Sequence, residues 1–330
     1  MPTMRRTASP PALALLGLGV FLLVLAPMLT WYVGPHAERT PTDVNVTSVF
    51  KGQGKYFDQQ KLKTRSGQEL TVTRRVLGDV AASEKTGRAV WNVSQTIDNP
   101  RTAELDDPRK SFQWTTERWV TDRRTNKPVA CCGSKPAHFS GEAYLKWPFG
   151  VAKRDYTWWD STLGGAVPLH YKGRAKVRGY EGLRFTGTVG PTRAGTRQVP
   201  GALVDRPKSA QVNAEEWYAN SGLDFIVDER TGRILYAATG PRMTLRAPGG
   251  KSDKVTLLES RKLAFTKKTR QDAVDFAEDD NARLRMVGTV APLGAVSAGA
   301  VCGVAGAVLV IRGRRLRRTP PGMSRHPVGA

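Results

Sequence analysis

Two apolar stretches, residues 11–33 and 287–311, lie near opposite ends of this 330-residue chain, and neither contains an Asp, Glu, Lys or Arg. A helix rises about 1.5 Å per residue, so each stretch exceeds the roughly 20 residues needed to cross about 30 Å of hydrocarbon. Both are therefore expected to be transmembrane helices. Arg5 and Arg6 precede the first, and Arg312, Arg314, Arg315, Arg317 and Arg318 follow the second. The positive-inside bias then places both termini in the cytoplasm and everything between the spans outside the cell membrane. A cleaved signal peptide is the competing reading of the first stretch. Its apolar run is longer than a signal core of about 7 to 15 residues, and Trp31 and Tyr32 stand where cleavage needs small side chains. Aromatics at that depth suit an interfacial belt.

The expected organisation follows: a cytoplasmic N-terminus (1–10), a first span (11–33), an extracytoplasmic β-rich domain (34–268), a juxtamembrane helix (269–286), a second span (287–311) and a basic cytoplasmic tail (312–330). The segment between the spans has 253 residues, enough for a substantial buried core. It holds 43 of the 51 Lys and Arg and all 29 Asp and Glu, which leaves +14 there and +8 at the two ends. A basic exported surface attracts anionic lipid head groups or acidic polymers, while nucleic acid is excluded as a partner because it lies on the other side.

Within this segment, short runs rich in β-branched and aromatic residues alternate with polar ones and are punctuated by Gly, Asn, Asp and Pro. Strands are expected at 44–50, 69–80, 88–97, 111–122, 176–180, 183–189, 212–218, 223–227, 234–239, 243–247 and 255–265. In 111–120 the period of two puts Phe112 and Trp114 together on a covered face. Residues 190–207, with three prolines, are expected to be a loose loop, and 269–286 a helix running into the second span. The fold class is a mainly β domain, an antiparallel sandwich or open barrel, between two transmembrane α-helices.

Signs of catalysis are absent from the sequence. His36, His138, His170 and His326 are scattered, and no nucleophile elbow, zinc-binding helix or phosphate loop occurs. The acidic groups Asp106-Asp107, Glu215-Glu216 and Glu278-Asp279-Asp280 are neighbours whose side chains diverge on a strand or helix, which is the pattern of surface charge. No catalytic residue, metal site or cofactor is expected. Cys131 and Cys132 are adjacent and, in an oxidising compartment, close a vicinal disulfide or crosslink to a partner. In the second span Gly299 and Gly303 are spaced for close helix packing, and Gly17 and Gly19 of the first span are available to meet them. Seven of eight tryptophans lie between the spans, where they fill a β core or line a lipid or glycan site.

The block Lys146-Trp-Pro-Phe-Gly150, followed by Lys153-Arg-Asp-Tyr-Thr-Trp-Trp-Asp160, resembles the DUF3068 (PorA-like) family of actinobacterial envelope membrane proteins. Tyr56-Phe57-Asp58, Arg88-Ala-Val-Trp91 and Leu223-Asp-Phe-Ile-Val-Asp-Glu-Arg-Thr-Gly232 follow the same order of parts. The resemblance implies two spans around an exported β domain and, for some relatives, a role in maturing envelope lipoglycans. It implies no catalytic residue.

Physically, the block sets aromatic mass, Trp147, Tyr156, Trp158 and Trp159, beside Lys153, Arg154 and Asp160. Such a site suits an anionic amphiphile with its phosphate on Lys153 or Arg154. The bland alternative is a packed corner of the fold. The expected function is binding or presenting an envelope lipid, glycolipid or lipoglycan, with membrane lipids and envelope-assembly proteins as partners. The alternative is a membrane scaffold without ligand.

Overall fold

The computed structural model describes residues 10–103 and 107–316. Arg5, Arg6, Asp106, Arg317, Arg318 and His326 lie outside the described residues, as does most of the basic tail. The chain divides into two units. One contains both apolar helices, and the other runs over Arg39–Asn281.

In the first unit, α1 (Pro10–Met28) continues through a π turn at Leu29–Val33 into α2 (Gly34–Ala37). Its partner, α5 (Ala291–Leu316), is preceded by a π turn at Met286–Val290. Small residues let the two backbones approach. A Cβ placed on Gly19 would lie 2.7 Å from the Gly303 amide nitrogen and 3.0 Å from the Gly299 carbonyl oxygen, and one on Gly306 would lie 2.8 Å from Leu16 N. Gly17 instead faces open space. Gly19→Leu is thus expected to force α1 and α5 apart at a cost of about 1–3 kcal/mol, the usual range for overpacking. Unfolding of the full chain by SDS in mixed micelles reads this as an earlier midpoint. Gly17→Leu should leave the midpoint in place, and equal loss from both would refute the packing assignment.

The second unit is a sheet of twelve strands. Its order is β4 (Gln113–Thr121), β3 (Ala89–Asp98), β2 (Lys63–Gly78), β1 (Asn45–Asp58), β11 (Val255–Ser260), β10 (Pro241–Arg246), β8 (Gln211–Val227), β7 (Tyr180–Pro200), β6 (Gly165–Val177) and β5 (Tyr156–Asp160). The short β9 (Ile234–Thr239) and β12 (Leu263–Phe265) tie β8 to β1, and a short helix α3 (Val80–Thr86) joins β2 to β3. All strand pairs are antiparallel. The end strands β4 and β5 do not pair with each other. The chain between them bridges the gap, with Lys135 and Arg118 exchanging backbone bonds on the β4 side and Ala143 pairing Trp158 on the β5 side.

Three strand expectations change. Residues 176–180 are not one strand but the end of β6 and the start of β7, because Arg178 (φ 50°) and Gly179 (φ 89°) form the tight turn between them. Positive φ at both central positions matches the twist of a two-residue hairpin. Residues 190–207 are not a loose loop either. β7 runs on to Pro200, paired as far as Gln211 of β8, and register shifts between Val189 and Gly195 leave Pro191 out of the ladder. A proline is tolerated where no amide donor is needed. Finally, β4 begins only at Gln113, so Trp114 turns outward (44% exposed), whereas Phe112 packs on Tyr56.

The core of the sheet unit is aromatic. Trp147, wholly buried, packs on Trp158, Phe185 and Phe225 with ring centroids 5.2–5.6 Å apart. The helix α4 (Lys267–Arg285) covers a second apolar cluster with Val274 and Ala277. Arg233 donates to Asp280, and Asn281 donates to Tyr180 and Asp228. The helix expected at 269–286 is thereby held on the sheet by both apolar and polar contacts.

Candidate functional site: a cavity inside the sheet

Strands from both ends of the sheet order, together with the segment that bridges them, surround a partly open cavity of about 120 Å³. Its walls are mostly apolar, with Phe50, Ile97, Trp158, Leu223, Phe225 and Met243 among them. A smaller cavity of about 40 Å³ shares Gln113, Met243 and Leu258 with it. Inward residues alternate with outward ones along each strand, so the wall is set by the period of two.

The polar groups of the wall fall into two sets. On one side Asp160 ends β5: its Oδ1 accepts from the amides of Thr162 (2.9 Å) and Leu163 (3.0 Å), and its Oδ2 accepts from the Tyr218 hydroxyl (2.8 Å). Burial and the nearby Asp160 carboxylate push the Tyr218 hydroxyl pKa well up. Asn220 donates to Tyr218 and to Thr239 and accepts from Gly240 N, which completes a satisfied network. On the other side Tyr144 donates to Glu117 and accepts from Ser161 (2.8 Å). Its pKa is raised by burial first and by Glu117 second, while Arg74 opposes the shift.

Arg74 is the cation of this wall. Its Nε and Nη2 donate to a single acceptor, Gln95 Oε1, at 3.0 and 2.8 Å. The guanidinium lies 5.9 Å from the Phe50 ring centroid and 5.8 Å from that of Tyr144. Trp159 also lines the cavity, and its buried Nε1 has no partner.

The residues singled out in the sequence are divided by the structure. Trp158, Trp159 and Asp160 line the cavity. Trp147 and Tyr156 are buried beside it in the core, the Tyr156 hydroxyl accepting from Ala152 N at 2.9 Å. Lys153 and Arg154 are exposed on the outside. Arg154 is committed there, forked onto Glu142 at 2.6 and 3.2 Å and stacked 4.0 Å from the Tyr156 ring. The basic rim expected from these two residues is therefore not at the cavity, and Arg74 stands there instead. A signal for Arg74 exists in the sequence: in the alternation Leu70, Val72, Arg74, Val76 it is the one charged residue on a face of buried aliphatics.

The other candidates are placed as follows. Cys131 and Cys132 are joined in a vicinal disulfide. Glu216 pairs with Arg197, Glu215 accepts from Trp217 Nε1, and Asp280 pairs with Arg233. His170 meets Asp155 at 2.8 Å on the exposed surface. Among the described residues no group of three or more His, Cys, Asp or Glu is arranged to hold a metal.

A family model described as Porin PorA matches residues 11–308, taking in both apolar helices and every strand of the sheet. No curated protein matches the sequence. Two long apolar helices on either side of a β unit fit a membrane protein. From the extent of the family match, the chain belongs to the Porin PorA family.

Proposed function

We propose that the protein is a two-pass membrane protein whose exported β unit binds or presents an amphiphile of the cell envelope, a lipid or glycolipid. The observation that carries this reading is the cavity, lined by apolar and aromatic residues with convergent polar groups among them, a make-up that suits a small-molecule site. A cavity of about 150 Å³ takes up one benzene, so the 120 Å³ here suits a single ring or the end of a chain rather than a whole lipid. The open side leaves room for the remainder. Each methylene removed from water contributes roughly 0.8 kcal/mol, which makes even a short buried segment worth several-fold in affinity. The arginines outside the two spans support a topology with both termini cytoplasmic.

Pore formation by the β unit itself fits less well. A membrane-spanning barrel turns apolar residues outward and encloses a polar interior. Here the enclosed face carries Trp158, Phe185 and Phe225, and Lys51 and Lys55 of β1 are on the exposed side. A ligand-free scaffold built on the glycine face of the second span also has less support, because Gly299 and Gly303 lie against Gly19 of α1.

Ala237, 2% exposed, lines the cavity, and Ala237→Phe should fill it. Full-length protein and this variant, purified in one detergent, are compared by native mass spectrometry and lipid extraction. A stoichiometric amphiphile is expected on the parent and not on the variant, with similar thermal midpoints. Identical lipid content in the two would refute the cavity as the site.

A further inference from the structure

We infer that Arg74, with Gln95 beside it, binds the anionic head, a phosphate or carboxylate, of the amphiphile that the cavity takes up. This rests on the cavity reading above and adds the chemical class of ligand.

The charge pattern of the wall points this way. Other arginines of the sheet commonly face a carboxylate, as Arg65 does Asp58 and Arg184 does Asp224. Arg74 faces only the neutral amide oxygen of Gln95. A guanidinium has five N–H donors, and two are used here, so three remain for a further acceptor. Neither nearby carboxylate bonds it: Asp160 accepts from three other donors, and Glu117 accepts from the Tyr144 hydroxyl. A half-buried cation with no carboxylate bonded to it is costly, and an incoming anion in bidentate geometry relieves that cost.

A cation with spare donors, among lining residues most of which are apolar or aromatic, selects an anionic group attached to an apolar body. The smaller cavity that shares Met243 and Leu258 with this one offers an apolar body further room, which favours an amphiphile over a free anion.

The test uses the full chain in phosphatidylcholine nanodiscs, with empty nanodiscs subtracted, titrated with dansylaminoundecanoic acid and with its methyl ester. The parent should bind the acid about 10-fold or more tighter than the ester, the worth of hydrogen bonds to a charged group. Arg74→Gln should bring the acid down to the ester's affinity without changing the ester, and Arg74→Lys, which keeps charge but loses the fork, should fall between. Thermal melts establish that the variants are folded, and Ala237→Phe should abolish binding of both probes. Equal affinity of acid and ester in the parent, or an acid preference that survives in Arg74→Gln, overturns the assignment of Arg74 while the cavity reading stands. No binding of either probe overturns both. Inorganic phosphate should displace the acid only at millimolar concentration, and displacement at micromolar concentration makes this a free-anion site and overturns the amphiphile.

Discussion

Gly232→Ala is expected to destabilise the β unit by about 3 kcal/mol or more, a large part of the 5–15 kcal/mol that holds a typical domain together. Gly232 has φ 71°, where a side chain costs about 1–2 kcal/mol. The larger effect is one of space. A Cβ there would press into the Trp147 carbonyl oxygen and lie 2.5 Å from that of Pro148. This is where two segments distant in sequence are laced together: Trp147 N donates to Gly232 O (2.9 Å), Gly150 N to Arg230 O (2.9 Å) and Val151 N to Glu229 O (2.7 Å). Those bonds seat Trp147 among Trp158, Phe185 and Phe225. Denaturant unfolding of the full chain, followed by tryptophan fluorescence, measures the loss. Gly150→Ala supplies the comparison, since its φ is 63° but nothing lies within 4 Å of an added Cβ. It should cost only the backbone contribution, about 1–2 kcal/mol. Equal costs at the two sites would show that close approach at Gly232 has no energetic role.

Lys146→Met should act in the opposite direction and stabilise the protein at neutral pH. Lys146 is buried, its Nζ 3.5 Å from the Phe149 ring centroid and 3.4 Å from the Trp147 carbonyl oxygen that it donates to. Burial first, and Arg233 second, lower its pKa to about 7, against the weaker pull of Asp280 and Asp228. The Phe149 ring favours the charged form, but attraction of about 0.5–2 kcal/mol does not offset desolvation of a buried ammonium.

The direction of the pH dependence follows from that pKa. An unfolded lysine titrates near 10.4, so between about 7 and 10.4 the unfolded chain holds more protons, and stability rises with pH across that window. Below about 7 both states are charged and the penalty is fully present. Lys146→Met should remove this slope and gain on the order of 2–4 kcal/mol at pH 7, the worth of a shift of this size after allowance for relaxation. Urea midpoints of both proteins across pH 6–10 are the measurement. A variant less stable than its parent at pH 7 would mean that the ammonium is needed where it lies.

The two long apolar helices were legible because an uninterrupted apolar run of that length is a matter of local composition alone. The β class was legible because alternation along a strand is also local, and the helix at Lys267–Arg285 was legible from its mix of apolar and charged residues. The misread segments were those whose state depends on a partner. Residues 190–200 look like a loop by their glycines and prolines, but β8 supplies the ladder that makes them a strand. Trp114 looked inward until the start of β4 fixed the phase of the alternation, and a shift of one residue exchanges the two faces.

Of the cavity, Trp158, Trp159 and Asp160 were visible in the sequence as an aromatic block ending in a carboxylate. That they line a space, while Trp147 and Tyr156 fill solid core and Lys153 and Arg154 stay outside, was decided by long-range pairing of strands far apart in the chain. Arg74 shows the division most clearly. Its inward phase is written in Leu70, Val72 and Val76, but whether an inward arginine meets a carboxylate, a ring or open space depends on what the sheet's curl brings opposite it. By itself, then, the sequence determined the two apolar helices and the strand class, since hydropathy and periodicity act within a few residues. The tertiary structure alone decided the cavity and its charge, since these arise from side chains that meet only when strands remote in sequence are paired.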